Sequence, residues 1–162
     1  LTEYTRPATW ADVKTLVRYL DEQGVEYALV GGYALAAHGF SRFTEDIDIL
    51  VDPSADNSRR WIVALSKLPD AAAAELMAQS DVFADDKRYA IRVNDEFTID
   101  VMPSIAGLSW DEMKKHIVTT QIDDVVVRIL DLPGLLKTKQ GARPKDQMDA
   151  AVIAAALRRR DK

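Results

Sequence analysis

The stretch from Tyr27 to Ile49 limits most tightly what this chain can fold into. Tyr27-Ala28-Leu29-Val30 is an apolar run of strand length that stops at Gly31-Gly32. Thirteen residues on, Asp46-Ile47-Asp48-Ile49 alternates acid with aliphatic. Strand side chains alternate faces, so Asp46 and Asp48 share one face while Ile47 and Ile49 take the buried one. Two carboxylates a few ångströms apart repel each other unless a positive charge lies between them. A hard divalent ion with oxygen ligands, such as Mg²⁺, is the natural occupant.

The flanking sequence supplies helices and further strands. Thr9-Trp10-Ala11-Asp12 has capping-box spacing, and Trp10, Val13, Leu16, Val17 and Leu20 recur at helical period, which predicts a helix over 10–22 ended by Gly24. A short helix is expected over 33–38, a strand over 46–52, and helices near 56–67 and 70–79. Segments 88–93 and 96–102 flank Asn94-Asp95, a two-residue hairpin signal. Ser109 to Glu112 repeats the capping box, and strands over 118–121 and 125–129 flank Asp123-Asp124. Asp131 caps a helix with Pro133 in its first turn, and Pro144 opens a last one running to about Arg159. The expectation is an α+β fold: a mixed sheet with helices packed against it, one domain over 1–162, with a helical C-terminal segment at about 131–160.

Composition narrows the class. At 162 residues with 48% hydrophobic and 29% charged residues, the chain has the mix of an ordinary globular domain. It has no cysteine, which removes disulfides, thiolate metal sites and cysteine nucleophiles. Charges interrupt every apolar stretch and no secretory signal is legible, so a cytoplasmic protein with no membrane partner is expected. The first residue is Leu1, not Met, which reads as a trimmed start. A net charge of −5 argues against a protein that coats nucleic acid, since phosphate contacts favour a basic surface. Lysine and arginine nevertheless concentrate from Lys137 to Arg160.

A second acid-bearing strand completes the chemistry. In Phe97-Thr98-Ile99-Asp100-Val101-Met102 the apolar residues fall on one face, with Thr98 and Asp100 on the other. A third carboxylate on a neighbouring strand can help hold two ions, which together activate an attacking hydroxyl and stabilise the leaving oxygen of an in-line displacement. Asp100 is the candidate to accept the attacking hydroxyl's proton. Gly31 and Gly32, between strand and helix, could turn free backbone N–H groups toward a triphosphate with no side chain in the way.

Gly31-Gly32, Asp46-x-Asp48 and a later strand aspartate, Asp100, resemble the signature of the nucleotidyltransferase superfamily that includes DNA polymerase beta. Arg42-Phe43-Thr44-Glu45-Asp46-Ile47-Asp48 resembles the form found in bacterial stand-alone members. The segments Asp131 to Lys137 and Arg143-Pro144-Lys145-Asp146-Gln147-Met148-Asp149 are similar to the distal element of the AbiEii-like toxins. The resemblance covers roughly residues 25–155. It implies that Asp46, Asp48 and Asp100 bind metal, two Mg²⁺ ions being expected. Lys137 is implied as the triphosphate contact, with Gly31, Gly32, Arg42, Thr44, Arg143 and Lys145 as further nucleotide-binding candidates. Many relatives carry Gly-Ser where this chain has Gly31-Gly32, so one hydroxyl contact to phosphate is missing here. The implied activity moves a nucleoside monophosphate from a nucleoside triphosphate to an acceptor hydroxyl, releasing pyrophosphate. The acceptor could be a small molecule, a tRNA or a protein, and a toxin role implies an antitoxin partner.

Blander readings attach to the same residues. Lys137 could be the exposed side of an amphipathic helix, and Arg143, Lys145, Asp146 and Asp149 a salt-bridge cluster at a helix start. Thr44 could support its loop, Tyr33 could pack, His38 and His116 could be structural, and Arg158 to Arg160 suit a helix C-terminus. Two rival functions follow. One is a non-catalytic nucleotide- or partner-binding module on the same fold. The other is a metal-dependent nuclease, which needs no glycine turn for a triphosphate.

Overall fold

The computed structural model describes residues 5–79, 81–84, 89–141 and 143–160. Helix α1 (Trp10–Glu22) begins at Thr9, whose hydroxyl and the Asp12 carboxylate close a reciprocal capping box. Its inner stripe, Val13, Leu16, Val17 and Leu20, is buried. Gly24, at φ +67°, turns the chain into β1 (Tyr27–Val30), which is buried along its whole length. Helix α2 (Gly31–Ala37) starts on the glycine pair itself, two residues earlier than the periodicity suggests. Strand β2 (Ile47–Val51) and helix α3 (Ala55–Ser66), capped by Ser54, follow.

Residues 72–78 form a 3₁₀ segment where an α-helix over 70–79 is expected. Ala71 sits in the left-handed region at φ 49°, and the Asp95 carboxylate accepts from the amides of Asp70 and Ala72 at 3.0 Å each. Drawing Asp95 into the interior also rebuilds the next hairpin. Strands β3 (Ile91–Asn94) and β4 (Thr98–Met102) pair with Asn94 opposite Thr98, so the turn is Asp95-Glu96-Phe97 rather than Asn94-Asp95. Of the hairpin's expected first strand, residue 88 lies outside the described residues. A small hairpin, β5 (Ser104–Ile105) with β6 (Leu108–Ser109), was not visible in the sequence pattern. Helix α4 (Trp110–Met113) then leads into β7 (Ile117–Ile122) and β8 (Val125–Leu130). Helices α5 (Leu132–Lys137) and α6 (Pro144–Arg160) close the described chain.

The sheet has the order β3-β4-β2-β1-β8-β7 and is mixed, as expected of an α+β fold. β2–β4 and β1–β8 are parallel, and the other pairs are antiparallel. Parallel neighbours need a long crossover, which α3, the 3₁₀ segment and β3 provide between β2 and β4. One continuous core joins Leu16, Leu20, Leu29, Ile47, Ile49, Trp61, Leu65, Ile99, Val101 and Ile129. No helix among the described residues is long and apolar enough to cross a membrane.

Candidate active site

The two acid strands lie side by side. β2 and β4 pair in parallel with Asp48 opposite Asp100, and the aliphatic partners Ile47, Ile49, Ile99 and Val101 are buried. The core thus fixes the register, and the register brings the acids together on one face. Asp46, one residue before β2, belongs to the same cluster. Burial and the facing charge of Asp100 push the Asp48 carboxyl up to about 7, with a hydrogen bond to Asp100 and the charge of Asp46 adding to the effect.

Arg92 stands on β3 opposite Asp100. Its Nε and Nη2 reach the two oxygens of Asp100 at 2.9 and 3.1 Å, and Nη2 lies 3.7 Å from Asp46. Among the described residues no three acidic or metal-binding side chains are set as a finished metal cage. The donor chemistry nevertheless fits Mg²⁺. The oxygens are hard, and a divalent cation would relieve the repulsion that drives the Asp48 carboxyl up.

The glycine pair is required by packing. Gly31 has φ +68°, and a Cβ there would run into the Asp48 carboxylate. A Cβ on Gly32 would stand 2.8 Å from Cβ and Oγ1 of Thr44. Val30 gives α2 no side-chain cap, so the first-turn N–H groups have no side-chain acceptor from it. The Thr44 hydroxyl donates to the Asp46 carbonyl at 3.2 Å and so supports the loop before β2.

The opposite wall comes from the segment after α5 and the start of α6. Asp146 and Asp149 are buried, and each is met by cations. Lys139 Nζ lies 3.1 Å from Asp149 and 3.9 Å from Asp146. Arg143 donates to Asp146 at 3.0 Å and holds that carboxyl below the usual carboxylate range. Arg42 forks onto Asp149, with contacts of 2.9 and 3.0 Å, pinning its loop to α6. The Cβ-free Gly141 lets this chain pass close to Asp146.

These walls enclose an open cleft of about 650 Å³. Gly31, Gly32, Arg42, Thr44, Asp46, Asp48, Asp100, Arg143 and Lys145 all line it, so the structure gathers nine of the ten residues singled out from sequence. Lys137 is the exception. It ends α5 as an exposed residue, while Leu132, Gly134 and Leu135 of that helix face inward. Lys139, half-buried two residues beyond the helix, lines the cleft beside Lys145. Arg92 and Phe43 also line the cleft, and Phe43 is 87% exposed at its lip. Neither was singled out from sequence. A correct hairpin register would have exposed Arg92 as the partner of Asp100.

The neutral readings hold elsewhere. Tyr33 packs edge-on to Trp10 and donates to the Ala8 carbonyl at 2.6 Å. His38 Nε2 contacts the Leu130 carbonyl at 2.8 Å, and His116 Nδ1 contacts Asp131 at 3.0 Å. Arg158, Arg159 and Arg160 form the last turn of α6.

Residues 14–131, well over half the chain, match the family model described as nucleotidyl transferase AbiEii toxin, type IV toxin–antitoxin system. No curated protein matches the chain. Among solved structures, one similar fold is a Thermotoga maritima protein provisionally described as a nucleotidyltransferase. It is 12% identical, with 93% of this chain and 90% of that one covered and a TM-score of 0.60. Another is an antigenic nucleotidyltransferase-like protein from Paracoccidioides brasiliensis, 16% identical, with 92% and 78% covered and a TM-score of 0.50. At these identities the shared property is the fold.

Proposed function

The chain belongs to the AbiEii nucleotidyltransferase toxin family, and on that premise we propose that it transfers a nucleoside monophosphate from a nucleoside triphosphate to an acceptor hydroxyl. The observation that carries this reading is the apposition of Asp48 and Asp100 across from a wall of cations within one cleft. Asp46, Asp48 and Asp100 would hold Mg²⁺, two ions being the expected complement. Bound there, the metal would supply electrostatic stabilisation to the attacking and leaving oxygens.

The chain's own residues do the rest. Lys139, Arg143 and Lys145 attract and orient the triphosphate, and the open backbone at Gly31-Gly32 lets it approach the acids. The acceptor oxygen bonds to the α-phosphorus while the bond from that phosphorus to the bridging oxygen breaks. Pyrophosphate leaves, and the acceptor's proton passes to Asp100. Arg42 and Thr44 hold the loop that carries Asp46. The family description supports a cognate antitoxin as functional counterpart, and the acceptor is a small molecule, a tRNA or a protein.

The test is incubation with each labelled nucleoside triphosphate and Mg²⁺ in cell extract, followed by identification of the labelled product. Transfer should require the metal and fall at least about a thousandfold in Asp48→Asn. Undiminished transfer by that variant would remove the assignment.

A further inference from the structure

Arg92 does more than line the cleft. It reaches across the β3–β4 pair and sets a two-pronged fork on both oxygens of Asp100, at 2.9 and 3.1 Å, while the same guanidinium lies 3.7 Å from Asp46. Fork geometry of this kind engages both carboxylate oxygens at once, where a metal would also need them. The side chain is 61% exposed and projects from the edge strand of the sheet, so it is free to leave. Lys139 opposite differs in kind: it is 14% exposed and tied to carboxylates only 4–5% exposed.

We propose that Arg92 is a resident placeholder cation. It offsets part of the negative charge of the acid trio in the metal-free protein and must release Asp100 before a divalent ion can take that carboxylate. This rests on the metal-binding reading above. The displaced guanidinium stays at the cleft wall, close to where phosphates would arrive, so nucleotide and metal load more readily together than metal does alone. Arg92 acts through Asp100 and is a positioning residue.

The experiment titrates Mn²⁺ alone into wild type, Arg92→Gln and Arg92→Lys, reading free ion by electron paramagnetic resonance. Arg92→Gln should bind Mn²⁺ about tenfold more tightly than wild type. Arg92→Lys should fall between them, because it keeps the charge and loses the fork. In EDTA, Arg92→Gln should melt below wild type, and saturating Mn²⁺ should level or invert that order. If wild type binds Mn²⁺ and Arg92→Gln binds no tighter, the placeholder role is wrong while the metal site stands. Lysine behaving as arginine while glutamine gains would reduce the effect to net charge and equally overturn it. No Mn²⁺ binding by wild type or either variant would sink the metal reading and this inference with it.

Discussion

Asp48 is held in its place against its own electrostatics. Its folded carboxyl titrates at about 7 because of burial first and Asp100 second, whereas an unfolded aspartate titrates near 4. The protonated form is therefore favoured by folding. This contribution to stability is complete below about pH 4 and is lost as pH rises through 7. Metal-free Asp48→Asn should accordingly be more stable than wild type at pH 8, by roughly 1–3 kcal/mol, and should gain little at pH 4. Thermal melts in EDTA at the two pH values check this, and added Mg²⁺ should favour wild type instead. Gly31 is under the opposite constraint. Gly31→Ala must accept a positive φ and displace the Asp48 carboxylate, so a loss of about 1–3 kcal/mol is expected, with activity falling further than stability explains. A melt paired with a transfer assay separates the two effects.

Among the elements, the loop before β2 and the stretch between α5 and α6 are bound together through Asp149. Arg42→Ala would leave that carboxylate, only 4% exposed, still paired with Lys139. A destabilisation of about 1–3 kcal/mol in urea denaturation is expected, smaller than for a buried charge stripped of every partner. Lys139→Met should weaken ATP binding at least about tenfold by calorimetry, while Lys137→Met stays within about twofold of wild type. Elements with strong periodicity and caps were legible in the sequence: α1 is found over the expected residues because Thr9, Asp12 and the apolar stripe agree. Both acid strands were legible for the same reason, since alternation specifies a half-buried face. Lys139 escaped notice for a physical reason, because helical period describes α5 but says nothing about the turn at Thr138 that carries Lys139 inward. Arg92 was hidden by one tertiary event. An Asn94-Asp95 turn would pair Arg92 with Phe97, but burying Asp95 to cap the 3₁₀ segment lengthens the turn and sets Arg92 opposite Asp100.

Over the whole molecule, a net charge of −5 coexists with a cleft wall rich in lysine and arginine. The basic charge is local, so nucleotide affinity should fall several-fold between about 50 and 500 mM salt as screening shortens its reach. A slope as steep as that of a nucleic-acid-coating protein is not expected. Calorimetric titration of ATP across the salt series reads this directly.

The parallel pairing of β2 with β4 also orders events in time. Asp48 is synthesised well before Asp100, and Lys139, Arg143 and Lys145 follow both acids in the chain. A nascent chain can therefore assemble its carboxylates while the cations opposite are still inside the ribosome. The cleft therefore keeps only its acidic wall until the segment carrying Lys139, Arg143 and Lys145 has been synthesised.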